Sequence, residues 1–276
     1  LNARWVSFHT KKRLVQIGNL SSLKTTKKAS LIVILFLLNV CIISSTSPAK
    51  ALTQAPPIEW QRTFSGDVGY SILQTSDGGY AITGINGSSS LLIRTDSDGN
   101  LLWVKDYEIG GTETNLPYIV QTKDGGYALG GTMDNMFLIV KVDSQGTIQW
   151  NRTYAYDAPY NSLRALIQTS DGGYALVGTF SPPQTASHAI GEMWFVKTDS
   201  LGDMQWNTTI VGPVGNFANT VLQTNDGGYV IFGTSWASDT LPSAFKIIRT
   251  DSDGNEQWNR TYGGPAIFSL LKVTLE

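Results

Sequence analysis

Hydrophobic residues in this chain come in short runs with strand-like alternation, separated by turns rich in Asp and Gly. Ser71-Ile72-Leu73-Gln74 is followed by a turn and then by Tyr80-Ala81-Ile82-Thr83-Gly84. A third run, Leu91 to Thr95, is rich in branched residues, and a fourth, Leu101 to Tyr107, carries Trp103. The same four-run pattern returns three more times. Third runs recur at Phe137 to Val142, Met193 to Thr198 and Phe245 to Thr250, and fourth runs at Ile148 to Tyr154, Met204 to Ile210 and Glu256 to Tyr262. Runs of this length, rich in β-branched and aromatic residues and bounded by turn residues, predict strands, and no stretch shows a sustained helical period.

Two turn motifs punctuate each unit. The first is Gln-Thr-x-Asp-Gly-Gly-Tyr, beginning at Gln74, Gln121, Gln168 and Gln223, with its aspartate at Asp77, Asp124, Asp171 and Asp226. The second is Asp-Ser-x-Gly, led by Asp96, Asp143, Asp199 and Asp251, and a tryptophan follows its glycine at the same distance each time: Trp103, Trp150, Trp206 and Trp258. Glycine supplies the positive φ of such turns, and the leading aspartate can cap their amides. A self-similar period of roughly fifty residues, each with four antiparallel strands, predicts a β-propeller of four-stranded blades. Blades are expected at about 70–107, 118–154, 163–210 and 219–262. The tryptophans are expected to pack between neighbouring blades. A lone fourth strand is expected around Trp60, within Ile58 to Phe64, and a fragment of a further unit at Ala266 to Glu276. The expectation is four complete blades with partial terminal strands, as in a truncated chain.

Residues 1–51 differ in composition. They hold Arg4, Lys11, Lys12, Arg13, Lys24, Lys27, Lys28 and Lys50 and no acid, then an uncharged run from Leu31 to Ile43 and the pattern Ala49-Lys50-Ala51. This reads as a secretory signal peptide cut near Ala51, or as an amino-terminal anchor if it stays uncleaved. The chain as a whole has a formal net charge of −2. Removing the basic segment leaves residues 52–276, the propeller domain, strongly acidic, which disfavours a nucleic-acid partner. Cys41, the only cysteine, lies in the apolar run, so the exported part has no thiol or disulfide chemistry.

Both turns of a unit belong at one end of its sheet, and the variable connections at the other. Variable stretches include Phe180 to Glu192, Ser235 to Ala244, Glu108 to Pro117 and Val211 to Asn219. A binding site is expected on that variable side. No catalytic constellation stands out. His188 is the single histidine of the exported part, which excludes a Ser-His-Asp triad and a multi-histidine metal site. Asp96 with Asp98, and Asp251 with Asp253, are weak calcium candidates, but Gln145 and Leu201 replace the second acid in the other two turns. Arg94, Lys141, Lys197 and Arg249 recur two residues before the second turn and suggest a repeated ion pair with a turn carboxylate. The motif glutamines either line a central channel or hydrogen-bond to adjacent blades. Glycosylation sequons begin at Asn86, Asn151, Asn207 and Asn259.

The combined motif resembles the repeat of exported propeller-like proteins of archaea and some bacteria, and is distantly similar to the quinoprotein propellers. The resemblance implies a secreted or surface-attached propeller and carries over no cofactor residue. The functional expectation is a non-enzymatic cell-surface scaffold that binds protein or glycan through its variable loops, without cofactor. The alternative is a propeller-type carbohydrate-active enzyme or cofactor-binding protein. For a glycosidase the available acids are Glu108, Glu113, Glu192 and Asp239.

Overall fold

The computed structural model describes residues 58–111, 114–181, 191–211, 215–236 and 244–263. The signal or anchor segment, the fragment after 263, and His188, Glu113 and Asp239 lie outside them. The described residues form strands and no helix. Four antiparallel sheets of four strands follow one another in chain order. Sheet I holds β1 (Val68–Gln74), β2 (Tyr80–Asn86), β3 (Ser89–Thr95) and β4 (Leu101–Tyr107). Sheet II holds β5 (Thr114–Gln121), β6 (Tyr127–Met133), β7 (Met136–Val142) and β8 (Ile148–Tyr154). Sheet III holds β9 (Tyr160–Gln168), β10 (Tyr174–Ser181), β11 (Glu192–Thr198) and β12 (Met204–Ile210). Sheet IV holds β13 (Gly215–Gln223), β14 (Tyr229–Trp236), β15 (Ala244–Thr250) and β16 (Glu256–Gly263). This is the blade architecture of a β-propeller.

Three apolar cores lie between successive sheets. Ala81, Leu92 and Tyr107 of sheet I meet Leu116, Leu129 and Val140 of sheet II. Phe137, Ile139 and Tyr154 of sheet II meet Leu163, Leu176 and Trp194 of sheet III. Val177, Phe195 and Ile210 of sheet III meet Val221, Ile231 and Ile248 of sheet IV. The two middle strands of sheets II and III are buried on both faces, so they read as nearly continuous apolar runs, whereas β4, β8 and β16 show exposed outer strands.

The first strand of each blade begins a few residues earlier than expected, because each carries a β-bulge against its neighbour. The register shifts between Gly69 and Ser71, between Asn115 and Tyr118, opposite Val177/Gly178, and between Ala218 and Thr220. In sheet III the residue left over is Arg164, since Leu163 pairs with Gly178 and Ala165 with Val177. The glycine ending each second run is explained by the same feature. A Cβ on Gly178 would lie 2.1 Å from the Ser162 carbonyl oxygen, and one on Gly233 2.1 Å from that of Phe217.

The segment before β1 differs from expectation. Residues Ile58 to Phe64 form no ladder, because no described strand runs alongside them. The ring of Trp60 nevertheless sits on sheet I, where a Cβ on Gly99 would lie 2.7 Å from it.

Candidate functional site

The two ends of the sheets are built differently, and the turn end comes first. In the first turn of each blade, Asp77 accepts from the Thr75 hydroxyl at 2.6 Å and from the Gly79 amide at 3.3 Å. The recurring cation then reaches across from the third strand. Arg94 pairs with Asp77, Lys141 with Asp124 at 2.9 Å, Lys197 with Asp171 at 2.7 Å and Arg249 with Asp226. The repeated ion pair therefore exists, and its partner is the aspartate of the Gly-Gly turn. The second glycine is needed for this approach, since a Cβ on Gly173 would meet the Thr198 carbonyl oxygen at 2.1 Å and Lys197 Nζ at 2.8 Å. Burial of Asp124 and of Asp171 acts to raise their pKa, but hydrogen bonds from threonine, lysine and backbone outweigh it and lower both to about 2.

The motif glutamines hydrogen-bond between blades. Gln121 Oε1 accepts from the Ser76 amide at 2.8 Å, Gln168 from Lys123 at 2.9 Å and Gln223 from Ser170 at 2.7 Å. The tryptophans also bridge blades: a Cβ on Gly146 would lie 3.0 Å from the Trp103 ring, one on Gly202 2.7 Å from Trp150, and one on Gly254 2.6 Å from Trp206. Arg152 covers Trp150 with its guanidinium carbon 5.8 Å from the ring. Tyr107 and Tyr154 donate to the carbonyl oxygens of Gly146 and Gly202 at 2.8 and 2.6 Å. Burial raises the pKa of both tyrosines, keeping them protonated donors.

The calcium candidates belong to this same self-contained end. Asp96 Oδ1 accepts the amides of Asp98 and Asn100 at 2.9 and 2.8 Å, and its Oδ2 accepts from the Asn100 side chain at 2.9 Å. Asp251 repeats the arrangement with Asp253 and Asn255. Asp143 and Asp199 cap their turns in the same way without a second acid, so capping accounts for the motif. Among the described residues no three His, Cys, Asp or Glu gather as metal ligands. All four sequon asparagines, Asn86, Asn151, Asn207 and Asn259, are exposed. Asn207 accepts from the Trp194 indole at 3.1 Å and donates to Met204 Sδ at 3.4 Å, and Asn259 donates to Glu256.

At the loop end the account of polar groups does not close. Ser90 Oγ, Asn115 Oδ1, Asn161 Oδ1 and Thr179 Oγ1 are buried without a hydrogen-bond partner, and all four belong to the loop-side halves of their strands. An unmet buried polar atom costs about 1–3 kcal/mol. Asn115 stands on the wall of a cleft of about 340 Å³ between sheets II and III. Thr114, Pro117, Tyr118, Thr132 and Asn135 line it from sheet II, and Tyr160, Ser162, Leu163 and Arg164 from sheet III. Asn135 is held at the tip of a two-residue hairpin, where Asp134 and Asn135 have φ of 45° and 60°. Thr132 Oγ1 accepts the Leu163 amide at 3.2 Å and fixes the two walls together. Tyr160 is 47% exposed, offering a ring face. Burial raises the pKa of the Tyr118 hydroxyl, opposed by the positive charge of the Arg164 guanidinium.

The loop-face acids are dispersed. Glu108 is exposed after β4, whereas Glu192, at the start of β11, is 8% exposed. Asn216 donates to Glu192 Oε2 at 3.0 Å and accepts from Lys246 at 3.2 Å. The cleft residues had not been singled out in the sequence. No sequence signal marks Arg164, because the bulge that sets it apart appears only in the pairing of β9 with β10.

The sequence matches no protein-family model and no curated protein. Solved structures are similar in fold. An α-L-arabinofuranosidase from Clostridium thermocellum is 12% identical, covering 72% of this chain and 74% of its own, with a TM-score of 0.42. An exo-1,5-α-L-arabinanase from a bovine ruminal metagenomic library is 14% identical, covering 70% and 76%, with a TM-score of 0.39. A protein of unknown function from Bacteroides caccae is 14% identical, covering 70% and 81%, with a TM-score of 0.33. The likeness is one of fold alone. It corrects the expectation of a chain without catalysis, since glycoside hydrolases are among these neighbours and the architecture itself is no ground for excluding an enzyme.

Proposed function

We propose that this protein is an exported, carbohydrate-directed β-propeller whose loop-face cleft between sheets II and III binds a saccharide. The observation carrying this reading is the lining of the cleft. It combines two tyrosines with amide, hydroxyl and guanidinium groups, and it includes a buried Asn115 oxygen that the protein leaves unpaired. Sugars present an apolar CH face to an aromatic ring and hydroxyls to planar polar groups, so this mixture suits them. Export is supported by the basic lead-in, apolar run and Ala49-Lys50-Ala51 of the sequence. The test is a glycan array probed with the protein and with Tyr160→Ala. Binding that Tyr160→Ala abolishes without lowering the melting temperature supports the proposal; equal signals from the two proteins overturn it.

A second reading, cleavage of a glycan at a place apart from that cleft, is favoured by Glu192 at the boundary of sheets III and IV. A carboxylate 8% exposed, hydrogen-bonded to an asparagine that a lysine holds, is a suitable environment for acid–base chemistry. Glycans that bind are incubated with the protein and with Glu192→Gln, and new reducing ends are measured. Product from the wild type alone supports cleavage; no product from any bound glycan removes this reading.

A further inference from the structure

Resting on the reading that the cleft takes a saccharide, we propose that the sugar is acidic, with its carboxylate received by Arg164. The argument begins with the bulge. Arg164 is the residue of β9 left without a partner on β10, and a bulge turns such a side chain out of the pleat. Its position is set by backbone geometry, since the carbonyl oxygen of Ser162 lies where Gly178 would otherwise carry a Cβ. The guanidinium is exposed at the cleft wall, which it shares with Tyr118 across the sheet boundary. A guanidinium has five N–H donors in a planar fork, which an anion can engage.

Charge sharpens the point. Arg94, Lys141, Arg152, Lys197 and Arg249 each pair with an aspartate. Arg164 has no carboxylate partner among the described residues, and no acid lines the cleft. In a propeller whose charge is predominantly acidic, a cation facing a cleft free of acids is the feature that selects an anion. Arginine receives a carboxylate through two parallel hydrogen bonds. Tyr160 offers its ring beside it, and the Asn115 and Asn135 amides offer hydrogen bonds to hydroxyls. The volume, about 340 Å³, lies at the small end of ligand sites and fits one or two sugar rings at a chain end.

The experiment is titration calorimetry on the full chain with three probes: a uronic-acid oligosaccharide, its carboxyl-reduced neutral counterpart, and a sulfated oligosaccharide of equal length. The uronate is expected to bind about tenfold or more tighter than the neutral sugar, with the preference falling as salt rises. Arg164→Gln should remove the preference while retaining the neutral sugar's affinity. Tyr118→Phe, which leaves the arginine in place, should weaken uronate binding by about threefold. Equal affinity for uronate and neutral sugar in the wild type, or a preference that survives Arg164→Gln, overturns the acidic-sugar assignment and leaves the glycan reading standing. A sulfated sugar bound as tightly as the uronate overturns the carboxylate in particular. Binding of none of the three probes at millimolar concentration overturns both readings.

Discussion

The two ends of this propeller are made from the same strands yet obey different rules. At the turn end, each blade pairs its cation with its aspartate, and each junction between successive described blades repeats one wiring: glutamine to the preceding blade's turn, tryptophan onto the next blade's glycine. At the loop end the connections differ in sequence from blade to blade, and four buried polar atoms remain without partners. Polar groups inside a fold are normally satisfied, so an end where they are not is either a place of stored cost or a place completed by something else. The difference separates the job of holding blades together from that of meeting a ligand. Substitutions should therefore sort by end, with stability effects at one and binding effects at the other.

The largest effect is expected at the close approaches of the turn end. Gly173→Ala places a methyl group 2.1 Å from the Thr198 carbonyl oxygen and should destabilise by about 3 kcal/mol or more. A urea unfolding midpoint unchanged from wild type would show that the turn yields easily and that its wiring is incidental. Next comes the tryptophan series. Trp150→Ala removes a ring wedged on Gly202 and should cost about 2–3 kcal/mol. Trp258, 41% exposed, should tolerate the same change within about 0.5 kcal/mol. Equal losses at the two positions would mean that docking on the next glycine contributes nothing measurable.

A smaller effect is expected from the ion pairs. Lys197→Met strands Asp171, whose carboxylate is half exposed, so about 1–2 kcal/mol is expected. The folded pKa values of Asp124 and Asp171 lie below the ordinary 3.8, at about 2. Their stabilisation is thus fully present above pH 3.8 and is lost as pH falls through 2. With solvent screening, each contributes about 1 kcal/mol or less. Melting temperature followed across that window should fall less steeply in Asp171→Asn than in wild type; parallel curves would remove the aspartate from the account. The smallest stability effect belongs to the loop end. Tyr160→Ala and Arg164→Leu should unfold within about 0.5 kcal/mol of wild type, the first losing glycan binding and the second the preference for an acidic sugar, and a large stability loss there would erase the distinction between the ends.

The architecture could be read from the sequence because the turn end repeats in sequence as it repeats in space. Leu101 to Tyr107, Ile148 to Tyr154 and Met204 to Ile210 were expected as strands and are β4, β8 and β12 with the same bounds. The aspartates and glycines of both turns were legible for the same reason: one local geometry, written four times, leaves one residue pattern. The cleft was not legible. Its residues come from different positions in each blade, so Asn135 at a hairpin tip and Arg164 at a bulge leave no shared pattern. Their juxtaposition arises only when sheets II and III pack. Arg164 in particular looks in sequence like one polar residue among apolar ones, and only the pairing of Leu163 with Gly178 and Ala165 with Val177 shows it to be the odd residue out.

The seat of Trp60, Trp103, Trp150 and Trp206 on the glycine of the following sheet also bears on how such a chain can change its length. Each blade supplies the plug for its successor and receives its own from its predecessor. The covalent repeat and the mechanical joint are therefore out of phase. A duplication or deletion that spans one whole period, wherever its breakpoints fall within the unit, restores a plug for every socket. A change of any other size leaves one ring without a seat and one seat without a ring. Lengths are thus expected to change in whole blades, with the loop face free to diversify each time a blade is copied.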